Sequence, residues 1–274
     1  VNLKGSYVVD FDLPPMRKES LLQFAQDIAK QAGDSTKSFF KTDLHISRKS
    51  DESPVTEADI HAEKLLRELI SEHYPDHGII GEEFEEKNPT DGCLFQWVVD
   101  PIDGTKSFIH GIPLYTTLIA LLYDGKPSIG VIYNPILNEL TSACVGVGAF
   151  YNQRRIAVSE EASLSKAWLQ VTDPTDLLRR YPDSGAELIS SVGFTRTWAD
   201  GHGYALLARG EADIMIDPIV NLWDVACLHP IITEAGGRIT DLSGNPGLGT
   251  SALAANPALH GKVLELFNKN EYYV

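Results

Sequence analysis

Cysteine is scarce in this chain of 274 residues: the three present, Cys93, Cys144 and Cys227, are odd in number and follow no metal-finger spacing. They argue against a disulfide framework or a zinc ribbon, and suit reduced thiols in a cytoplasmic protein that does not use cysteine catalysis. Hydrophobic residues make up 43% of the chain, yet no apolar run is long enough for a transmembrane helix and no charged-then-apolar signal segment opens it. Basic residues are also few, 23 Lys and Arg against 38 Asp and Glu, for a net charge of -15. That balance argues against nucleic acid or an anionic membrane as a partner. It would also repel a small anion unless bound cations reversed the local potential. Repeats and low-complexity tracts are lacking. What remains is apolar material sufficient for one large globular unit or two intimate ones.

Chemistry is concentrated where an apolar strand meets acids. Trp97, Val98 and Val99 favour β structure and lead into Asp100-Pro101-Ile102-Asp103-Gly104-Thr105. The strand is expected to stop at Pro101, which fixes φ and denies the ladder a donor. Two carboxylates on a rigid turn suit a hard cation such as Mg²⁺, which prefers oxygen ligands. Gly104 lets backbone N–H groups approach an anion, and Thr105 adds a hydroxyl able to orient water. An ordinary turn fits the same residues, since Asp, Pro and Gly dominate turns. Further acids recur in similar contexts. Ile79-Ile80-Gly81 is a short apolar run ending in Glu82 and Glu83, and Leu222-Trp223-Asp224 opens an amphipathic segment. Each has a plainer reading, the glutamates as a solvated acidic loop and Asp224 as a helix cap or first-turn acid.

Residues 1–15 end in Pro14-Pro15 without a helical pattern and are expected to be an extension, native or not, ahead of a folded region starting at Met16. From Arg17, the residues Leu21, Ala25, Ile28, Ala29 and Ala32 form a helical stripe. Ala62, Leu65, Leu66, Leu69 and Ile70 form a second, ending before Tyr74-Pro75, with Asp59 in its first turn. Residues 116–123 and 128–133 read as an antiparallel hairpin joined by Asp124-Gly125-Lys126-Pro127, followed by a strand over 140–145 and a turn at Tyr151-Asn152-Gln153. Beyond Leu164 the pattern alternates, with strands at 168–171 and 214–216, a helix near 175–180 and an apolar run at 204–208. A helix over 224–235 is expected to stop at Gly236-Gly237. The expected division is an N-terminal α+β half, residues 16–163, carrying most of these acids, and a C-terminal α/β half, residues 164–274, carrying Asp224. His61, His77, His110, His202 and His229 lack ligand spacing and are read as structural or surface groups, with His202 as a candidate substrate contact.

Three blocks, IIGEE (79–83), WVVDPIDGT (97–105) and NLWDVACLHPIITEAGG (221–237), together resemble the signatures of the inositol-monophosphatase-like, Mg²⁺-dependent phosphatases. The resemblance extends over nearly the whole chain from about residue 16. It implies an α+β fold, a layered αβαβα sandwich with the active site between its halves, and a homodimer. It also implies two or three Mg²⁺ ions held by Glu82, Asp100, Asp103, Asp224 and the backbone carbonyl of Ile102. Thr56-Glu57-Ala58-Asp59 matches the family's T-x-x-D segment, so Asp59 would act with Thr105 to activate the attacking water, and Gly104 and Thr105 would bind the phosphate. Lys49, in the loop before Ser53-Pro54, is read either as the counterpart of a family lysine near the metal ligands or as a solvated loop cation.

Within that family, the segment from Phe194 to Asp200, continuing to Gly203-Tyr204, resembles the R-T-W-G-D-x-x-G-Y stretch of histidinol-phosphatases, with Ala199 in place of the usual glycine. Thr105-Lys106-Ser107-Phe108 is similar to their T-K-S-F. The resemblance implies a phosphomonoesterase that hydrolyses histidinol phosphate to histidinol and phosphate, a step of histidine biosynthesis. Inositol monophosphate or another small phosphate such as a 3′-phosphonucleotide is the alternative. A non-catalytic regulatory or purely structural metal-binding role fits less well, because Asp59, Thr105 and every ligand are present. Histidinol phosphate carries an amine and an imidazole, so its site calls for acids beyond the metal ligands. Asp200 and Asp217, with Asp103, are the candidate substrate-binding residues. Asp217-Pro218 also reads as the mere exit turn of a buried strand.

Overall fold

The computed structural model describes residues 15–42, 46–48, 54–198 and 200–268, and none of its helices is long and apolar enough to cross a membrane. Residues 1–14, Lys49 and Ala199 lie outside the described residues. The chain opens with α1 (Pro15–Thr36), a short antiparallel pair of β1 (Ile46–Arg48) and β2 (Pro54–Thr56), and α2 (Glu57–His73). Next come β3 (Gly78–Gly81), β4 (Phe95–Asp103), α3 (Thr105–Ile109), β5 (Thr116–Tyr123), β6 (Lys126–Asn134), β7 (Glu139–Cys144), β8 (Gly148–Tyr151) and β9 (Arg154–Arg155). The strands β3 to β9 form a seven-stranded sheet in chain order, parallel at β3–β4 and antiparallel elsewhere.

A second sheet follows. Its elements are β10 (Trp168–Val171), α4 (Pro174–Arg180), α5 (Pro182–Ser191), β11 (Phe194–Arg196), α6 (Gly201–Ala208), β12 (Ile214–Asp217), α7 (Leu222–Val225), α8 (Leu228–Glu234), β13 (Arg238–Thr240), β14 (Ala252–Ala255) and α9 (Pro257–Asn268). The five strands lie in the order β11-β10-β12-β14-β13, with β10 parallel to both β11 and β12. Three cores separate the layers. The α1 stripe, Leu21, Ala25, Ile28 and Ala32, packs with Leu66 and Ile70 of α2 on Trp97, Val99, Ile119 and Val131. The opposite sheet face, with Val98, Leu118, Ala120 and Ile132, meets α6, α7 and α8, which also cover Met215, Ala252 and Ala254 of the second sheet. That sheet's far face meets α4, α5 and α9 through Leu177, Leu188, Leu259 and Val263. The result is an αβαβα layered sandwich, as expected.

Local chemistry moves several boundaries. The β5–β6 hairpin turns on two residues, Asp124 (φ 50°) and Gly125 (φ 71°), both in the left-handed region that a tight primed turn requires. Pro127 is therefore inside the strand, next to a register shift at Leu121/Leu122 that relieves the ladder of its missing donor. The β4 strand does not stop at Pro101 but runs on to Asp103. The residues 204–208 belong to a helix, α6. Residues 224–235 are not one helix: the ladder lapses at Ala226-Cys227 between α7 and α8, because Pro230 offers no N–H to the carbonyl of Ala226 and crowds it. The expected stop at Gly236-Gly237 is a Schellman cap, with Gly236 N–H donating to Thr233 O and Gly237 N–H to Ile232 O.

Gly130 on β6 lets the α7–α8 junction approach the first sheet. A Cβ there would overlap the carbonyl oxygen of Cys227. Replacing it displaces the segment that carries Asp224. Gly130→Ala is expected to lower stability by about 1–3 kcal/mol, the usual cost of overpacking, measured by urea denaturation. An unchanged midpoint would show that the junction does not depend on this approach.

Candidate active site

A bulge in β4 builds the centre of the site. In a regular strand Asp100 and Asp103, an odd number of residues apart, would point to opposite faces. Asp100 pairs with Leu118 but Asp103 pairs with Thr116, so β4 carries one extra residue here. That extra residue returns Asp103 to the face of Val98 and Asp100, the one covered by the middle helices. Pro101 is tolerated because the bulge demands no ladder donor of it, and its carbonyl accepts from Thr117 Oγ1 at 2.9 Å. The backbone N–H of Ile102 donates to Asp100 Oδ1 at 3.0 Å, and Asp103 Oδ2 accepts from Thr116 Oγ1 (2.8 Å) and from the backbone N–H of Gly201 on α6 (2.6 Å).

Two further acids arrive by one device, the capping box. Thr56 caps α2, and Asp59 at the third helical position accepts from Thr56 N at 2.8 Å and Thr56 Oγ1 at 2.5 Å, both on Oδ2. Asn221 caps α7, and Asp224, again at the third position, accepts from Asn221 N at 2.7 Å. Asp224 is therefore not itself the cap. Thr56, Asn221, Thr116 and Gly201 were not singled out as site residues from the sequence, although the T-x-x-D and N-x-x-D spacings signal the first two.

Carboxylate oxygens of Asp100, Asp103 and Asp224 lie within 4.8 Å of one another. Burial, reinforced by Glu82, Asp103, Asp224 and Asp59, holds Asp100 well above the ordinary range. Burial, with Asp200 and Asp224, does the same to Asp103 against the donors Thr116 and Gly201. Asp59 and Asp224 are each pushed up to about 6, chiefly by burial. Asp200 reaches about 7 through burial and the charges of Asp217 and Asp224, opposed by Lys106. Asp217, raised by burial, accepts from Tyr204 Oη at 2.8 Å. The structure thus brings Asp59, Glu82, Asp100, Asp103, Asp200, Asp217 and Asp224 into one electrostatic neighbourhood. Asp59 and Thr105 spend their hydrogen bonds apart from each other: Thr105 Oγ1 donates to Ile102 O at 3.2 Å, and Asp59 Oδ1 is buried without a partner. Gly104 (φ 84°) turns the chain into α3 beneath Asp200, whose Oδ2 a Cβ at Gly104 would approach to 3.0 Å. His202 is buried, and the charges that act on it are Glu139 and Arg209 rather than the acids of the site.

This donor set fits a hard divalent cation. Oxygen donors converge, like charges need a counter-charge, and Asp59 Oδ1 is an orphaned buried acceptor beside them. Asp100, Asp103 and Asp224 could hold it, with Glu82 close enough to act on Asp59, Asp100 and Asp224.

In the chelated protein these raised carboxylates bind protons more tightly folded than unfolded. Their stability contribution is complete below the ordinary value of 3.8 and is lost as pH climbs through about 6 to 7. Asp200→Asn is therefore expected to raise the melting temperature in EDTA much more at pH 8 than at pH 5, and the upward shift on adding Mg²⁺ should likewise be larger at pH 8. Equal effects of Asp200→Asn at both pH values would contradict this electrostatic account.

Comparison with known proteins agrees with this geometry. The chain is 40% identical over 256 residues to the histidinol-phosphatase of Chlorobaculum parvum, covering 91% of this chain and 97% of that one. It is 39% identical over 255 residues to the histidinol-phosphatase of Mycobacterium tuberculosis, covering 90% and 97%. The crystal structure of extragenic suppressor protein suhB from Bartonella henselae superposes with a TM-score of 0.86 at 30% identity, covering 92% and 99%. The model of the inositol monophosphatase family matches residues 17–272. A match that spans both sheets and every acid described above leaves one conclusion: this chain belongs to the inositol monophosphatase family.

Proposed function

We propose that this phosphatase hydrolyses histidinol phosphate to histidinol and phosphate with Mg²⁺ at the acids of β4 and α7. The observation that carries the substrate is a second set of buried acids. Asp200 and Asp217 act on the Asp224 side of the site but lie outside the three carboxylates that close to 4.8 Å. Beyond its phosphate, an inositol ester offers only hydroxyls. Histidinol phosphate offers an amine and an imidazole, which carboxylates bind through charge-assisted hydrogen bonds. The relatives named histidinol-phosphatase support the same reading. The family match favours inositol monophosphate as the second reading.

Glu82, Asp100, Asp103, Asp224 and the carbonyl of Ile102 would hold the cation. Mg²⁺ held by these residues would supply positive charge to offset the phosphate oxygens, lower the pKa of a water and stabilise the departing alkoxide. Asp59 serves as the base. Its Oδ2 is locked by Thr56 and its Oδ1 is left to accept the proton of the water. The Thr105 hydroxyl exchanges its bond to Ile102 O for the water or the phosphate, while the turn at Gly104 brings backbone N–H groups against the phosphate. Asp217, oriented by Tyr204, and Asp200 receive the amine and imidazole.

Phosphate release from L-histidinol phosphate, inositol 1-phosphate and a 3′-phosphonucleotide, with Mg²⁺ and then with chelator, tests the proposal. A metal-dependent preference for histidinol phosphate is expected. Equal or faster release from inositol 1-phosphate would favour the second reading, and absence of metal-dependent release would overturn both. Asp100→Asn should abolish turnover in a folded protein. Asp217→Asn should raise KM for histidinol phosphate at least about tenfold, as loss of a hydrogen bond to a charged group costs roughly 1.5–3 kcal/mol, with a smaller effect on inositol 1-phosphate.

A further inference from the structure

Glu63 lies on α2 one turn after Asp59, and its carboxylate is completely buried. A buried carboxylate is costly unless fully partnered. Its Oε2 accepts from the backbone N–H of Glu83 at 2.7 Å, and its Oε1 accepts from Arg67 Nε at 2.8 Å. The carboxylate occupies the space that a side chain on Gly81 would need, since a Cβ there would overlap Oε1. Arg67, a further turn along, donates from Nη2 to the carbonyl of Phe84 at 3.1 Å and lies over the Phe84 ring at 5.6 Å. Ile79 and Lys87 exchange backbone hydrogen bonds and close the loop at its base. Residues 81 to 84 are thus gripped by two side chains of one helix, and Glu82 sits between the grips.

We propose that Glu63, seconded by Arg67, is a positioning residue for the metal site. It sets Glu82 against Asp59 and Asp100, because one rigid helix carries Asp59 on one turn and the hold on Glu82 on the next. Asp59 and Glu63 are four residues apart and so stand on one face of α2. The proposal rests on the reading of Glu82 as a cation ligand given above. It assigns a role in metal affinity to a residue that is not itself placed in the site.

The test is Mg²⁺ titration by calorimetry without substrate, on folded protein well below its melting temperature, together with the Mg²⁺ dependence of phosphate release. Glu63→Ala is expected to weaken Mg²⁺ binding by about 10- to 100-fold, as loss of a group supporting a ligand does, while kcat at saturating Mg²⁺ stays within about threefold. Glu63→Gln, which keeps an acceptor for Glu83 N–H, should recover most of the affinity. Gly81→Ala should weaken binding in the wild-type background and much less beside Glu63→Ala, where the clash is gone. Should Glu63→Ala fail to fold, Gly81→Ala alone carries the test, since its Cβ would overlap the Glu63 carboxylate. Weakened Mg²⁺ binding in Glu82→Gln with affinity unchanged in Glu63→Ala and Gly81→Ala overturns the positioning role alone. Absence of Mg²⁺ binding by the unaltered protein overturns the ligand reading and this inference with it.

Discussion

Like charges in a buried place constrain this structure more than any other feature. Asp100, Asp103 and Asp224 converge within 4.8 Å, and Asp59, Glu82, Asp200 and Asp217 crowd the same region. Burial penalises each charge, and each neighbour adds to the penalty. An assembly of this kind persists only where other parts of the fold hold the acids against their repulsion. Three separate apolar cores do so, locking α1 and α2, the middle helices and the outer helices on two sheets. The acids themselves are tied by short donors: Asp59 to Thr56, Asp224 to Asn221, Asp103 to Thr116 and Gly201. Those bonds fix one oxygen of each carboxylate, and the rest of the charge is what a cation would answer.

The same constraint explains which parts of the molecule were legible in the sequence. Helical stripes such as Leu21 to Ala32 and the continuous apolar run Trp97-Val98-Val99, covered on both sheet faces, are set by burial, and burial patterns read directly from residue order. The acids themselves stood out because apolar strands ended in them. The bulge was not legible, since a strand that ends at Pro101 and one that bulges there share the same residues, and only pairing with Leu118 and Thr116 separates them. The interruption between α7 and α8 had a signal in Pro230, which a stripe-based reading passes over. Glu63 was illegible for a different reason. A glutamate four residues before an arginine on a helix looks like a solvated pair, which Lys64 and Glu68 indeed resemble, both being largely exposed. Its burial against Gly81 and the Glu83 N–H shows that it points inward.

Capping boxes serve two purposes at once here. A helix start needs acceptors for its free N–H groups, and both Asp59 and Asp224 meet part of that need with one carboxylate oxygen. The geometry that satisfies the helix also fixes the orientation of the acid, so its second oxygen is aimed without further support. Local stability and site geometry therefore depend on the same bond. Substituting Thr56 or Asn221 would disturb both together, whereas Glu63 acts on a loop that has no helix to align it and needs a grip from outside.

The two halves of the site divide the chemistry. Asp59, Glu82, Asp100 and Asp103 come from α2, the loop after β3, and β4, where bulge and clamp determine their positions. Asp217 comes from β12 of the second sheet, while Asp200, at the start of α6, and Asp224, on α7, come from the helices packed between the two sheets. Asp103 is where they join, because its Oδ2 accepts from Thr116 of one half and from the Gly201 N–H of the other. Gly201 directly follows Asp200, whose backbone is held at a positive φ of 55° that a non-glycine residue adopts only when its surroundings demand it. The bond to Asp103 is such a demand. It couples the residue proposed to receive the substrate's amine or imidazole to the residue proposed to hold the cation, so that specificity and catalysis share a single hydrogen-bonded contact between the halves.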